Sequence, residues 1–328
     1  MRTTLKCGLL LPHFGEHASV ANCLEGARRA EGYGFDSLWV RDHLVFQPHG
    51  IEGVDNTHIE GLLLLSAIAA ATQTIALGTA MTICHRHPVH LAQLFAGLSA
   101  ISRGRVIMGI GLGGFPHEFA AVGYPSALEN RAELVRINVQ TCRDLWSGTR
   151  VSLNNSYFDF ADVALNPTPV EPIPIWYGGG TPAACRRAVA YGDGWMPARI
   201  TLATFARLVS YIHELCRSSG NPMINAAVMP LTSVAEDRQA ALSPINVPSL
   251  IAEANKFRAW AKTTAIFSTL DDIRGFILAG TPADIAGESR AYAEAGADHI
   301  IYDLRFRYAD WLEQIDLLGR EVLPALRA

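Results

Sequence analysis

Asp42 and His43 follow an apolar run, Phe35-Asp-Ser-Leu-Trp-Val40, with only Arg41 between. A strand that surfaces as a carboxylate and an imidazole presents them at its carboxyl end, where parallel α/β folds place their chemistry. An imidazole there suits proton transfer, because its unperturbed pKa lies near neutrality. A second group of interest is Gly178-Gly-Gly-Thr-Pro182, between the apolar run Pro174–Tyr177 and a helical stretch. Free amides at that helix start, with the Thr181 hydroxyl, suit a phosphate, although a tight turn without ligand reads the same way. Gly111-Leu-Gly-Gly114 closes another apolar run and would let a flat ring approach the backbone. His85, His87 and His90 invite a metal reading. Pro88 turns the chain into a helix between them, so the rings need not converge, and no metal site is expected.

The elements that must carry these groups read as a βα alternation. The junction Ala30-Glu-Gly-Tyr-Gly-Phe-Asp36, helix end to glycine to Asp to strand, recurs at Tyr191-Gly-Asp-Gly-Trp195 and at Ala295-Gly-Ala-Asp-His299. Strands are expected at Lys6–Pro12, Phe35–Val40, Ile75–Thr82, Gly104–Gly114, from Pro174, at Trp195–Ala198, Ala226–Val234 and His299–Leu304. Helices are expected at Val20–Tyr33, Leu62–Ala71, Pro88–Ile101 and Asn130–Trp146. Val151–Leu165 alternates like an inserted hairpin, Gln47–Ile59 is a loop, and Ser243–Phe276 has a mostly helical pattern. This is the pattern of an α/β protein, a (β/α)8 TIM barrel with insertion segments, and of a single domain over residues 1–328.

Composition agrees and excludes. With 328 residues, 49% of them apolar and 18% charged, the chain can bury a barrel-sized core. A net charge of −4 gives no reason to expect nucleic acid or an anionic membrane as partner. The six cysteines are scattered without a Cys-x-x-Cys pair, so they read as thiols of a reducing compartment. With no signal peptide and no apolar stretch long enough for a bilayer, a cytoplasmic protein is expected. The three lysines, Lys6, Lys256 and Lys262, sit at no strand exit, which removes Schiff-base and pyridoxal phosphate chemistry.

Several stretches together resemble the bacterial luciferase-like family of flavin- and deazaflavin-dependent oxidoreductases. They are Phe35–Leu44, Leu77–Thr82 with Arg86-His-Pro88, Ser102–Gly113, His117–Gly123, and Pro174–Pro182 with Gly192–Trp195, in family order. The resemblance implies a barrel with the cofactor ring across the strand ends and a non-proline cis peptide at Ala80-Met81 backing it. It implies a cofactor phosphate on Gly179, Gly180, Thr181 and the Ala183 amide, and cofactor contacts from Asp42, Thr82, Gly113 and His117. It also suggests a homodimer.

Asp42-His43, Arg86-His-Pro88 and Glu118–Gly123 look more like the coenzyme F420 branch than the FMN branch. An F420 enzyme moves hydride and needs a proton donor or acceptor, the role expected of His43, with Asp42 orienting the imidazole or touching the ring. His13, Phe14 and Trp195 are candidates for a small-molecule substrate pocket. Glu118 reads as a structural acid at a helix start. The sugar-phosphate branch carries an acid after its strand-four glycine, and Leu112-Gly-Gly114 has none, which argues against glucose 6-phosphate. The alternatives are an FMN-dependent monooxygenase served by a flavin reductase, and a cofactor-binding barrel without turnover.

Overall fold

The computed structural model describes residues 4–123, 129–262 and 266–328. In chain order the elements are β1 (Lys6–Leu10), α1 (Val20–Tyr33), β2 (Ser37–Val40), α2 (Gly61–Ala71), β3 (Ala76–Thr79), β4 (Thr82–Ile83), α3 (Pro88–Ser102) and β5 (Val106–Gly111). There follow α4 (Pro116–Ala121), α5 (Arg131–Trp146), β6 (Val151–Asn154), β7 (Asp159–Val163), β8 (Ile175–Gly178), α6 (Pro182–Tyr191), β9 (Gly194–Met196), α7 (Leu202–Ser219) and β10 (Asn225–Val228). The chain ends with β11 (Leu231–Val234), α8 (Arg238–Leu242), α9 (Val247–Asn255), β12 (Ile277–Gly280), α10 (Pro282–Glu294), β13 (His299–Tyr302), α11 (Trp311–Leu317) and α12 (Leu323–Arg327).

The strands β3-β2-β1-β13-β10-β9-β8-β5 lie side by side, and β5 pairs back onto β3. These parallel pairings close an eight-stranded barrel, the TIM architecture expected from the alternation. Its interior is filled by two stacked indoles, Trp39 and Trp176, with ring centroids 5.2 Å apart. Neighbouring strands make room with glycine. A Cβ on Gly78 would lie 2.3 Å from the Trp39 ring, and one on Gly194 2.4 Å from the Trp176 ring. Ser37 Oγ accepts from Trp39 Nε1 at 2.7 Å and meets His299 Nε2 at 2.7 Å. Burial pushes the His299 pKa down to about 3, so this layer carries no charge at neutral pH.

The thrice-repeated glycine-Asp junction has a structural purpose at the amino-terminal end of the barrel. The Asp36 carboxylate accepts from Cys7 N while Asp36 N donates to Cys7 O, at 2.8 and 2.7 Å. Asp193 makes the same reciprocal pair with Ile175, and Asp298 with Ala226. Each Asp carbonyl then accepts from the strand on its other side, at Ala76 N, Asn225 N and Lys6 N. One residue type thus staples three strands at a time and sets their register.

Four expectations change. The third strand breaks at Ala80-Met81, a cis peptide, into β3 and β4. The expected seventh strand splits at Pro230, which has no amide to donate. Only β10 joins the barrel, while β11 pairs with β12, a strand the sequence did not reveal. Among the described residues of Ser243–Phe276, only α9 and one short 3-10 turn, Asp271–Ile273, are helical, so the stretch is not mostly helix. The Val151–Leu165 hairpin is present as β6 and β7. All six cysteines are free and buried. Among the described residues no helix is long and apolar enough to cross a membrane.

Asp298→Ala removes one staple far from the carboxyl ends of the strands. It should cost about 1–2 kcal/mol, read as a lower urea midpoint at unchanged slope, and leave ligand binding at the other end intact.

Candidate active site

At the carboxyl ends of the strands, Leu10, Arg41, Asp42, His43, Ala80, Met81, Ile83, Ala198, Arg199, Met229, Asp303 and Arg305 enclose a cavity of about 170 Å³. These residues follow β1, β2, β3, β9, β10 and β13, so one cavity collects the exits of most of the barrel.

His43 is held on both ring nitrogens. Arg41 Nη2 donates to His43 Nε2 at 2.9 Å. A guanidinium has only donors, so Nε2 carries the lone pair and Nδ1 the proton. Nδ1–H then donates to Glu118 Oε1 at 3.2 Å. The same oxygen accepts from the amides of Leu44 and Val45, and His117 Nε2–H donates to the Val45 carbonyl at 2.8 Å. The start of α4 therefore clamps the turn that follows His43, and Phe46 and Phe115 pack against its ring. Burial alone would raise the Glu118 pKa, but the His43 and backbone hydrogen bonds hold it below the ordinary glutamate value.

Asp42 is differently engaged than expected. Its Oδ1 takes Arg86 Nη2 at 2.5 Å and its Oδ2 takes Ile83 N at 2.9 Å. Consecutive side chains leaving a strand diverge, so Asp42 faces Arg86 and β4 while Glu118 orients the imidazole. The reading of Glu118 as a merely structural helix acid is corrected accordingly. Thr82 is also turned inward, donating from Oγ1 to Thr79 Oγ1 at 2.9 Å, and is 1% exposed.

The pocket candidates separate. His13 is fully buried, with Nδ1 on Ile59 O and Nε2 accepting from Arg41 N at 2.9 Å; burial and His58 push its pKa down to about 3. It braces the site from behind and lines no part of the cavity. Phe14 is a platform, its ring 4.4 Å from the Arg41 guanidinium and 5.3 Å from that of Arg305. It also borders a surface cavity of about 450 Å³ on the outer side of Arg305. Trp195 is fully buried, stacked on Phe205, and donates from Nε1 to Gly179 O at 2.9 Å.

That last bond bears on the phosphate candidates. A trans peptide points its C=O and N–H in opposite directions, so seating Gly179 O on Trp195 turns the Gly180 N–H away from the core. At the start of α6, Pro182 has no N–H, Ala184 N donates to Thr181 Oγ1, and Cys185 N to Thr181 O. The Ala183 amide is left without an intrahelical partner. Gly180, Thr181 and Ala183 thus fit an anion, although the Thr181 hydroxyl is partly committed to its own helix. Gly113, with φ +71°, accepts at its carbonyl from Arg131 Nη1. Gly111, expected with Gly114 to let a flat ring approach, makes room for Met81, as Gly178 does too: a Cβ on either would lie 3.2 or 2.7 Å from the Met81 side chain. Met81 itself remains in the cavity wall with Ala80.

Sequence reasoning missed a buried charge network. Glu52 Oε1, from the 47–59 loop, accepts from Arg41 Nη1 at 2.6 Å and Arg305 Nη1 at 2.8 Å, and Asp303 holds Arg305 through both oxygens. Burial alone would raise the Glu52 pKa, but His49 and the two arginines hold it well below the carboxylate range. The available signal was position: Arg41, Arg199, Asp303 and Arg305 all follow directly on apolar strands, as His43 does. Of the three histidines His85, His87 and His90, His87 accepts from Val89 N at the start of α3 and His85 packs on Phe119.

Glu118→Gln should destabilise the protein by about 1.5–3 kcal/mol at pH 7, since it weakens charge-assisted bonds to three donors. Because the native pKa of Glu118 is depressed, its contribution is present above the ordinary glutamate value and is lost as pH falls through the native one. Urea unfolding of parent and variant should therefore differ most near pH 7 and converge only as the pH falls below the ordinary glutamate range.

Comparisons with known proteins extend this geometry. The F420-dependent glucose-6-phosphate dehydrogenase of Amycolatopsis mediterranei is 27% identical, over 93% of this chain and 94% of its own. The F420-dependent hydroxymycolic acid dehydrogenase of Mycobacterium tuberculosis is 28% identical, over 98% and 88%. Among solved structures, an F420-dependent secondary alcohol dehydrogenase in complex with an F420-acetone adduct superposes with a TM-score of 0.81 at 24% identity, covering all of both chains. The oxygenating constituent of 3,6-diketocamphane monooxygenase from Pseudomonas putida, in complex with FMN, gives 0.78 at 19% identity over 98% of each. These two share the fold. The family model described as luciferase-like monooxygenase matches residues 6–299, and this chain belongs to that family.

Proposed function

We propose that this protein is an F420-dependent oxidoreductase that moves hydride between the deazaflavin and a small organic substrate, with His43 as proton donor and acceptor. The observation that carries this reading is the state of His43. Its ring is fixed by Glu118 at Nδ1, its Nε2 holds a lone pair, and it lines the same cavity as Ala80 and Met81. Relatives aligned over nearly the whole chain are named for F420-dependent dehydrogenation.

F420, when bound, supplies a ring carbon that takes or returns a hydride. Its phosphate would be held by the amides of Gly179, Gly180, Thr181 and Ala183, with Ala80 and Met81 behind the ring and Asp42, Thr82, Gly113 and His117 around it. Thr82 and Asp42 would then act mainly through their backbone, because their side chains are already engaged. When a substrate hydroxyl carbon loses hydride, the hydroxyl proton passes to His43 Nε2, and the return reaction takes it from there. Glu118 stabilises the imidazolium through Nδ1–H. Arg41 must release Nε2 first, so substrate entry and displacement of the Arg41 contact are one event. A cytoplasmic homodimer accompanies this reading.

Titration with F420 and with FMN, followed by absorbance and fluorescence, should show F420 at least about tenfold tighter. Tighter FMN binding would instead favour the monooxygenase chemistry. His43→Ala should retain F420 affinity and lose about 10²–10⁴-fold in the reduction of F420 by a panel of small alcohols; an unchanged rate removes His43 from the mechanism. Gly180→Ala adds a methyl whose close neighbour is Ile200 Cδ1 at 3.3 Å, a side-chain end that can give. The fold should survive while F420 affinity drops about five- to tenfold, and unaltered affinity refutes the phosphate assignment.

A further inference from the structure

Three guanidiniums, Arg41, Arg199 and Arg305, line the cavity beside His43. Two carboxylates, Glu52 and Asp303, neutralise this group, and both are taken by Arg41 and Arg305. The remaining oxygen of Glu52 accepts from His49 N. Asp42, the other acid of the cavity wall, is matched by Arg86, which also meets Glu60. Arg199 is left over. It has no hydrogen-bond or ion-pair partner among the described residues, and its Nη1 is buried. The chain reaches it through Ala198, a non-glycine residue with φ +62°, so the backbone itself bends to deliver this side chain at the exit of β9.

Arg199 is partly buried, and its Nη1 has lost water without gaining an acceptor, which is an arrangement that an entering anion would complete. Burial and the nearby Arg305 and Arg41 lower the Arg199 pKa to about 10, which leaves it charged at neutral pH. Arg199 is therefore the one guanidinium of the cavity wall that no carboxylate contacts, in a cavity that also holds the proposed proton carrier. A monoanion can meet the open donors of Arg199, whereas a dianion would meet stronger repulsion from the nearby Asp303 and Glu52. A planar carboxylate also matches the guanidinium fork in two parallel hydrogen bonds.

We propose that Arg199 is the anchor of a carboxylate subsite, so that the substrate is a small organic acid whose reacting carbon lies between Arg199 and His43. Naming the ligand a substrate rests on the oxidoreductase reading; the anion site itself does not. Calorimetric titration of the cofactor-free protein with isobutyrate and isobutyramide, equal in shape and different in charge, isolates the site. Isobutyrate should bind at least about tenfold more tightly than the amide, and Arg199→Met should abolish that preference.

The Arg199→Met variant should melt no lower than the parent, because it removes a partly buried charge that no acceptor pairs, and should keep F420 affinity within about twofold. Equal binding of acid and amide by the parent, or a preference that survives in Arg199→Met, overturns the proposal. Tighter binding of inorganic phosphate than of isobutyrate overturns the choice of carboxylate. Loss of F420 affinity in Arg199→Met would assign the guanidinium to the cofactor and overturn it as well. A protein that binds no F420 at all refutes the proposed function, yet the cofactor-free titration still decides whether the anion site exists.

Discussion

A guanidinium that leaves water needs its donors matched by acceptors, and at the mouth of this barrel that requirement on Arg41 ties the site together. Arg41 is 9% exposed. Its amide is held by His13 after β1, its Nη1 by Glu52 of the 47–59 loop, and its Nη2 by His43. Phe14 and Phe46 cover its plane. Through Glu52 the network continues to Arg305 and Asp303 after β13. Elements far apart in the chain are thus bound to one side chain, and the imidazole is placed as part of the same arrangement. Removing one member would leave another charge buried and unpaired, which is costlier than the pair is favourable.

The two ends of the barrel use the same residue types for different ends. At the amino-terminal rim, Asp36, Asp193 and Asp298 are spent on backbone amides, and their value is register. At the carboxyl rim, Asp42, Glu52, Glu118 and Asp303 are spent on arginines and an imidazole, and their value is the placement of charge. The first set is anchored on backbone amides, with the exposed Arg143 and Arg327 adding to Asp193 and Asp36 from outside, so it is completed by the fold alone. The second set is built from ions in low dielectric, where one cation without a partner has consequences for whatever enters. Arg199 is that cation. The glycines of β5 and β8 belong to this rim too, because Met81 can fold into the cavity wall only where they lack side chains.

Much of this was legible without coordinates. The eightfold alternation, the reactive exit of β2 and the glycine-rich entry to α6 all depend on neighbours in sequence, and local pattern reports such features well. The failures share a cause. Glu118 lies 75 residues from His43, and Glu52 253 residues from Arg305, so no spacing rule joins them. Adjacency suggests Asp42 as one partner for the His43 imidazole, besides a contact to the cofactor ring, yet adjacency at a strand exit sends side chains apart. Trp195, a pocket candidate whose place beside a strand equally suits the core, lies in the core and orients the Gly179 peptide from there. The split at Pro230 follows from a missing amide that could have been noticed, but its pairing with β12 depends on a strand distant in sequence.

The sequence by itself determined the barrel, because periodicity and glycine-Asp junctions act through nearest neighbours along the chain. It also determined which residues stand at strand exits, His43 and Arg199 among them. Only the tertiary structure decided what those exits mean to one another. Which carboxylate meets which cation, which imidazole nitrogen keeps its lone pair, and which guanidinium is left without a partner are outcomes of closing eight strands into a ring. Closure brings charges from distant segments out of water at once, and their pairing is a property of the whole set rather than of any stretch of chain.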